Sequence, residues 1–535
     1  MEATALARPA PVRLEASLLW TLPVLVVCAA CVAFLLLDLH PVDVAAATYR
    51  ADLFAAHGFA LWSGNWYGGH YTLSYSVLAP PLMWLLGATP LAIGSAIAST
   101  ALFQVIVRRH FGTAALAGAI WFALTAGTLV YHGRVTFGAG VVLGLGAVLA
   151  LQRGHDRTAV AAAVLCGLTS PVAGLFMALA GVATAVADKR RVGYALAAGA
   201  LLPVLAIQVA FPEGGQQPYR GEDLVWLLTS CAIVLILMPR RERALRLGAW
   251  LYALGGIAAY ILNTPLGNNV CRLAPLVAGP LIVCALGTDR RGIRRHVMVV
   301  AGLLGLLAFF QWRPVTQDVD KVQADPVVEP SYYRPLLGFL GRAGGPPFRV
   351  EIPFTQAHWE AAEVARRFPL ARGWERQLDG TRDALFYSGV LNRVTYGTWL
   401  AEHGVRFVAV ASGKPDFSSY KERALIETGL PYLRPVWRSK EWRVYEVTLP
   451  HAILIGRGQA SMRLLSMGNE QLTIDVARPG EASVKVHWSP YWRVYGGCVE
   501  RDGQWTRVIA RRPGRLRMAI EFSLERVFSH GRRCG

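Results

Sequence analysis

Eleven apolar stretches in the first part of the chain limit its fold more than any other feature. They lie near residues 18–37, 91–107, 114–131, 136–151, 158–169, 171–187, 193–210, 222–238, 245–262, 270–286 and 296–312. A helix needs about 20 mostly apolar residues to cross the hydrocarbon of a bilayer. Residues 1–312 are therefore expected to form a polytopic α-helical membrane domain of about eleven spans. Two places are ambiguous. The stretch 75–88, split by Pro80-Pro81, has the length of a re-entrant helix, and 158–187 carries Ser170-Pro171 in its middle and reads equally as a short hairpin. Residues 1–312 hold 21 Lys+Arg and 12 Asp+Glu, whereas 313–535 hold 33 and 23. The second part thus reads as water-soluble. A mean hydropathy of +0.36 excludes a disordered chain and disfavours an ordinary soluble enzyme.

The loops carry charge in alternation. Seventeen basic residues, from Arg8 and Arg13 through Arg108-Arg109, Arg153, Arg157, Lys189-Arg190-Arg191 and Arg240–Arg246 to Arg290–Arg295, fall in one set of loops. The other set holds four: Arg50, Arg134, Arg220 and Arg272. The positive-inside rule then predicts a cytoplasmic N-terminus, a multi-pass protein of the inner or plasma membrane, and an extracytoplasmic C-terminal part. The first apolar run has no small-residue cleavage site and reads as a retained helix.

Residues 313–331 lose their apolar character and read as a linker. Over 332–450, strands at 348–353 and 406–412, helices at 333–342 and 421–429, and a hairpin at 433–449 predict a small α/β domain. From 451 to 535 only short strands recur, which predicts a β-sandwich. Six of the eight cysteines sit in or beside apolar runs, where a thiol acts as a small hydrophobe. Cys498 and Cys534 are the remaining two, and an extracytoplasmic location would allow them to pair.

Motifs of soluble enzymes are absent: there is no GxxxxGK(S/T), HExxH or GxSxG, and no GxGxxG between a strand and a helix. The 54 basic residues are scattered, which argues against nucleic acid as a partner. Glycines in GAGVVLGLG (138–146) read as close helix-packing positions. The segment that stands out is the first outer loop, 38–74, with Asp38, Asp43, Asp52, His57 and His70, and with Trp62, Trp66, Tyr67 and Tyr71 in its second half. On a helix over 44–60, a turn of 100° per residue puts Asp43, Arg50 and His57 on one face and Asp52 on the opposite one. An interfacial aromatic belt and solvated acids are the plainer reading of the same residues.

A long acidic first outer loop, about eleven spans and an external C-terminal part resemble the GT-C superfamily of membrane glycosyltransferases. The run WSGNWYGGHYTLSYSVLAPPL (62–82) resembles YfhO-like bacterial members. SYYRPLLGFL, PLARGWERQ and LPYLRPVWRSKEWRVYEV look like the external region of actinobacterial membrane proteins of that kind. The resemblance implies transfer of a sugar from a polyprenyl-phosphate donor to a cell-envelope glycan or lipid acceptor, with inversion. A first-loop carboxylate would be the general base: Asp43 first, then Asp52, then Asp38. Phosphate would be held by Arg50, Arg134, Arg220 and Arg272, with Asn268 and Asn269 as amide donors. His57, Trp62, Trp66, Tyr67 and His70 would face the sugar or acceptor. The break TSPVAG (169–174) would lie near the carrier lipid. No cofactor is called for, although a divalent metal is compatible. The chain departs from the better-known pattern in having no Asp-Glu or Asp-Asp pair after the first span. Two other readings stay open: a transporter or flippase, and a non-catalytic envelope scaffold. Spans nearly free of charge and the lack of related halves disfavour the transporter. Trp488, Trp492 and Trp505 would give a scaffold's sandwich stacking surface, though core packing is the commoner fate of such residues.

Overall fold

The computed structural model describes residues 19–288, 297–528 and 534. Arg8, Arg13 and the Arg290–Arg295 group lie outside them. Each apolar stretch coincides with a helix: α1 (Leu22–Leu36), α4 (Ala88–Phe111), α5 (Leu116–Tyr131), α6 (Val135–Gln152), α7 (Asp156–Thr169), α8 (Pro171–Ala187), α9 (Val192–Ala210), α10 (Gly221–Leu237), α11 (Arg243–Ile261), α12 (Leu273–Gly287) and α13 (Val297–Val322). Two further helices, α2 (Val42–His57) and α3 (Ala79–Leu86), precede α4. Among the described residues, seven helical segments are long and apolar enough to cross a membrane, so the protein is a membrane protein with a helical bundle. Helix α7 is only 14 residues, about 21 Å at 1.5 Å per residue, and ends at Ser170-Pro171. Ser170 caps α8 by accepting from the Ala173 amide at 3.3 Å. Gly140 of α6 packs so closely here that a Cβ would lie 2.7 Å from that of Ala173, the close approach expected of 138–146.

Contacts between loops define two ends of the bundle. At one end His110 meets Glu242 at 2.8 Å, and Arg190 lies 3.5 Å from Asp156. These loops carry the arginine clusters. At the other end the C-terminal region docks: Arg366 pairs with Asp52 and Arg382 with Glu213, both at 2.6 Å.

The stretch 313–331, expected to be a linker, is helical through Val322. Its charges mark a change of surroundings rather than the end of the helix. Val315 and Val322 stay buried, and Asp318 bonds His132 at 2.7 Å. The chain then enters α14 (Pro330–Arg342) and a four-stranded mixed sheet in the order β3 (Arg349–Glu351), β4 (Val405–Ala411), β6 (Trp442–Val447) and β5 (Leu433–Arg438). Only β3 and β4 are parallel. One face of the sheet buries Phe407, Ala409 and Val444 with Tyr333 and Leu336 of α14. The other buries Val408, Val410 and Val447 with Trp399, Leu400 and Ile426. The last two come from α16 (Arg393–His403) and α17 (Tyr420–Glu427), while α15 (Arg376–Arg382) lies between the two halves of the domain in sequence.

From Leu454 onward two four-stranded antiparallel sheets, β12-β13-β10-β7 and β11-β14-β9-β8, enclose one core that includes Ile474, Val476, Val484, Val508, Leu516 and Met518. These strands run β7 (Leu454–Gly456), β8 (Ser461–Met467), β9 (Gln471–Arg478), β10 (Gly480–His487), β11 (Trp492–Tyr495), β12 (Gly497–Asp502), β13 (Trp505–Ala510) and β14 (Gly514–Ile520). Alternation of buried and open residues along β9 and β13 is the period-two pattern that predicted them. Cys498 of β12 and Cys534 form a disulfide with a Cα–Cα distance of 5.4 Å.

Candidate functional site

The first loop is where the bundle meets the C-terminal region. Helix α2 starts after Pro41 and ends at Gly58, which has φ +66°. Asp43 stands in its first turn, where the helix dipole favours a carboxylate. The loop His132-Gly133-Arg134, between α5 and α6, rests on this helix N-terminus. Gly133 makes that approach possible, because a Cβ there would lie 2.9 Å from Pro41 and 3.0 Å from the Val44 amide nitrogen. Arg134 is thereby brought to Asp43. Arg272 arrives from the turn Gly267–Arg272 at the start of α12.

Asp43, Arg134 and Arg272 line two cavities of about 620 and 420 Å³, and stand where these adjoin. The larger cavity also takes in Arg50, Arg220, Asn268 and Asn269. Asp43 and all six residues expected at the donor phosphate therefore share one space. Among the described residues, neither Arg134 nor Arg272 has a side-chain hydrogen bond or ion pair; Arg272 lies 5.6 Å from the Phe137 ring centroid. Burial, and then the charge of Arg272, push Arg134 down to about 10. Burial also raises the Asp43 carboxyl, against the opposing pull of Arg272 and Arg134. The result is a carboxylate of increased basicity in the field of two guanidiniums that no side chain pairs directly.

Of the other cations lining the larger cavity, Arg50, Arg220, Arg376 and Lys321 are engaged, while Arg313 has no side-chain hydrogen bond or ion pair among the described residues. Arg50 is 4% exposed, bonds Glu375, and holds its guanidinium 3.7 Å from the Tyr75 ring centroid. Arg220 pairs with Glu222 at 3.2 Å, and Arg376 reaches both oxygens of Asp416 at 3.1 Å. Lys321 pairs with Asp318 at 2.8 Å.

Several expected residues stand elsewhere. Asp52 is taken by Arg366, and Asp38 lies exposed in the turn after α1; neither lines either of the two cavities. His57 is exposed and meets Asn469 at 3.0 Å. Trp62, Trp66, Tyr67 and His70 are at most 1% exposed. They serve as mortar between domains. Trp62 and Tyr71, paired across the hairpin β1 (Trp62–Ser63) and β2 (His70–Tyr71), enter the core of the sandwich. The Trp66 indole donates to the Ala361 carbonyl at 3.0 Å, and the Tyr67 hydroxyl to the Gly373 carbonyl at 2.6 Å. Burial lowers the His70 imidazole to about 4, so it stays neutral. Trp492 is likewise core, at 1% exposure.

No local pattern marked the C-terminal region as reaching into the site. Trp374, Glu375, Arg376 and Gln377 line the larger cavity, and Glu375 and Gln377 the smaller as well. Their only signal was the PLARGWERQ run. Tyr75, Gln217 and Arg313 were also not singled out for the cavity. Ser170 and Pro171, from the TSPVAG break, do line the smaller cavity. For a cation, Asp38, His40 and Glu329 bring one ligand atom each within 4.8 Å of one another, outside both cavities. No protein-family model matches the chain, and comparison with curated proteins gives no match.

Proposed function

We propose that the protein is an integral membrane glycosyltransferase of GT-C type. It would transfer a sugar from a polyprenyl-phosphate donor to a cell-envelope glycan or lipid acceptor at the extracytoplasmic face. The observation that carries this reading is Asp43 between the unpaired Arg134 and Arg272, where the two cavities adjoin. Like charges left unpaired beside a cavity favour an anion, and charge-assisted bonds from guanidinium to phosphate are strong and directional. In the transfer, the acceptor hydroxyl loses its proton to Asp43 and its oxygen bonds the anomeric carbon. The bond from that carbon to the phosphate oxygen breaks, and the phosphate leaves with the electron pair, held by Arg134 and Arg272. Two cavities adjoining at the base accommodate donor and acceptor on opposite sides of the reacting carbon, as inversion requires.

Orientation belongs to the same proposal. The described arginine-rich loops occupy the end of the bundle remote from the site, which by the positive-inside rule is the cytoplasmic one. The Cys498–Cys534 disulfide suits an oxidising compartment for the sandwich. A crossing by each of the eleven apolar stretches would be an odd number, in line with this threading.

The test is transfer by the purified protein in liposomes, with radiolabelled undecaprenyl- or decaprenyl-phosphate sugars and envelope acceptors. Wild type is expected to transfer, Asp43→Asn to lose transfer, and Arg272→Ala to lose donor binding. Transfer unaffected by both changes would sink the site. No transfer with any donor would favour a scaffold.

A further inference from the structure

The larger cavity holds more carboxamides than an anion site needs. Gln217, Asn268, Asn269, Gln311 and Gln377 all line it. Four of them are drawn together by close backbone approaches. The Gln216 amide donates to the Gln377 carbonyl at 3.1 Å, and the Gln217 side chain donates to Asn268 Oδ1 at 3.1 Å. Two glycines with positive φ permit this. A Cβ on Gly215 would stand 2.5 Å from the Gln377 carbonyl oxygen, and one on Gly267 would stand 2.2 Å from that of Gln217. Gln377 donates to Glu375 at 3.2 Å. After these bonds, the side-chain Oε1 atoms of Gln217 and Gln377 and the Asn268 side-chain NH2 remain without a partner among the described residues. So does the whole Asn269 side-chain carboxamide.

The fifth amide is the most telling. Gln311 sits in an apolar helix at 3% exposure. Its oxygen accepts from the Trp121 indole at 2.8 Å, yet its Nε2 has no partner. An unpartnered buried NH2 is costly unless something fills the space beside it. The Arg50 Nε, in the wall of the same cavity, is also buried without a partner.

We infer that this carboxamide wall is the subsite for the donor's sugar, and that the sugar is an uncharged polyhydroxylated ring. The inference rests on the transferase reading. A carboxamide offers a donor and an acceptor in one fixed plane, which matches a hydroxyl that gives one proton and accepts others. A phosphate has only acceptors, so the amide carbonyl oxygens have no use for it. A carboxylated sugar would find the cations flanking Gln377 already taken, Arg50 by Glu375 and Arg376 by Asp416. The phosphate therefore goes to Arg134 and Arg272, and the ring to the amides.

Binding to the full-length protein in nanodiscs separates the two groups. The probes are undecaprenyl phosphate and its glucosyl, mannosyl, arabinosyl and galacturonosyl esters. At least one neutral glycosyl ester is expected to bind about tenfold more tightly than the bare lipid phosphate, and the galacturonosyl ester is not. Gln217→Ala and Gln377→Ala are expected to abolish that margin while leaving affinity for the bare lipid phosphate intact, which also reports that the variants are folded. Arg272→Ala is expected to weaken every probe alike. Equal wild-type affinity for bare and glycosylated lipid, preference for the uronic ester, or a margin that survives both amide changes would each overturn the sugar assignment and leave the phosphate site standing. Failure of every lipid phosphate to bind would overturn the transferase reading itself.

Discussion

Two arginine centres in this protein are built on opposite principles. Arg372, in the α/β domain, is 1% exposed and surrounded by carboxylates. Asp379 takes two of its nitrogens at 2.9 and 2.6 Å, Glu422 lies at 3.3 Å and Glu351 at 3.8 Å. Arg134 and Arg272 face a cavity with no partner. In the first centre acids outnumber the cation, and burial raises Glu351 and Asp383 well above the usual carboxylate range. In the second, cations outnumber the acid. A buried charge that is fully engaged contributes to structure, because removing its partner strands it. A pair of like charges left open to a cavity contributes little to the fold and favours binding an anion. Only two residues separate Arg372 from Glu375, so the engaged centre holds the segment that completes the open one.

Exchanging the roles of the two centres gives the largest effects. Arg372→Ala strands Asp379 and Glu422, and is expected to cost about 3–5 kcal/mol in denaturant or thermal unfolding of the detergent-solubilised protein. Asp43→Asn is expected to do the reverse: a loss of about 10²–10⁴-fold in transfer rate with an unchanged melting midpoint. A variant pair that reversed these outcomes would break the comparison.

Protonation provides a second handle. Burial, opposed by Arg372, raises Glu422 to about 7 from an ordinary 4.5. The folded state therefore binds its proton more tightly than the unfolded chain does. The stability this gives is present below about pH 4.5 and is lost as pH rises to about 7. Glu422→Gln cannot ionise, so its stability relative to wild type is expected to climb across that window. A flat difference between the two unfolding curves would show that Glu422 is already ionised in the fold. For Asp43 the same sign applies to catalysis. Transfer is expected to rise with pH as this raised carboxyl loses its proton, and the rise is expected to be absent from the residual rate of Asp43→Asn.

Smaller effects sharpen the contrast. Arg272→Ala relieves repulsion with Arg134, so its unfolding midpoint is expected to stay within about 1 kcal/mol of wild type or to increase. Asp52→Asn breaks only a half-exposed pair with Arg366. It is expected to change stability by less than about 1 kcal/mol and transfer by less than about twofold.

Regular elements were legible because they follow from short-range periodicity. Every apolar stretch proved helical, short strands recur between 472 and 520 as expected, and α14 and α17 fall where their patterns placed them. The arginines of the site were legible because they are few in loops otherwise poor in basic residues. The aromatic run 62–71 was misleading. A Trp at a membrane-side loop has the same letter whether it meets a sugar or a carbonyl, and here Ala361 and Gly373 claim the polar atoms of Trp66 and Tyr67. The change of composition at 313 was misleading too, since helical propensity outlasts hydrophobicity as far as Val322.

By itself, the order of residues determined an apolar helical bundle, a mixed α/β unit and a strand-only C-terminal region, because each depends on patterns a few residues long. It also placed Asp43, Arg50 and His57 on one helical face. Tertiary structure decided which members of that face meet a cavity. It put Glu375 and Gln377 beside residues more than 100 positions away in the chain, and left Arg134 and Arg272 without partners. Whether a charge is paired depends on distance between remote segments, which no local pattern encodes.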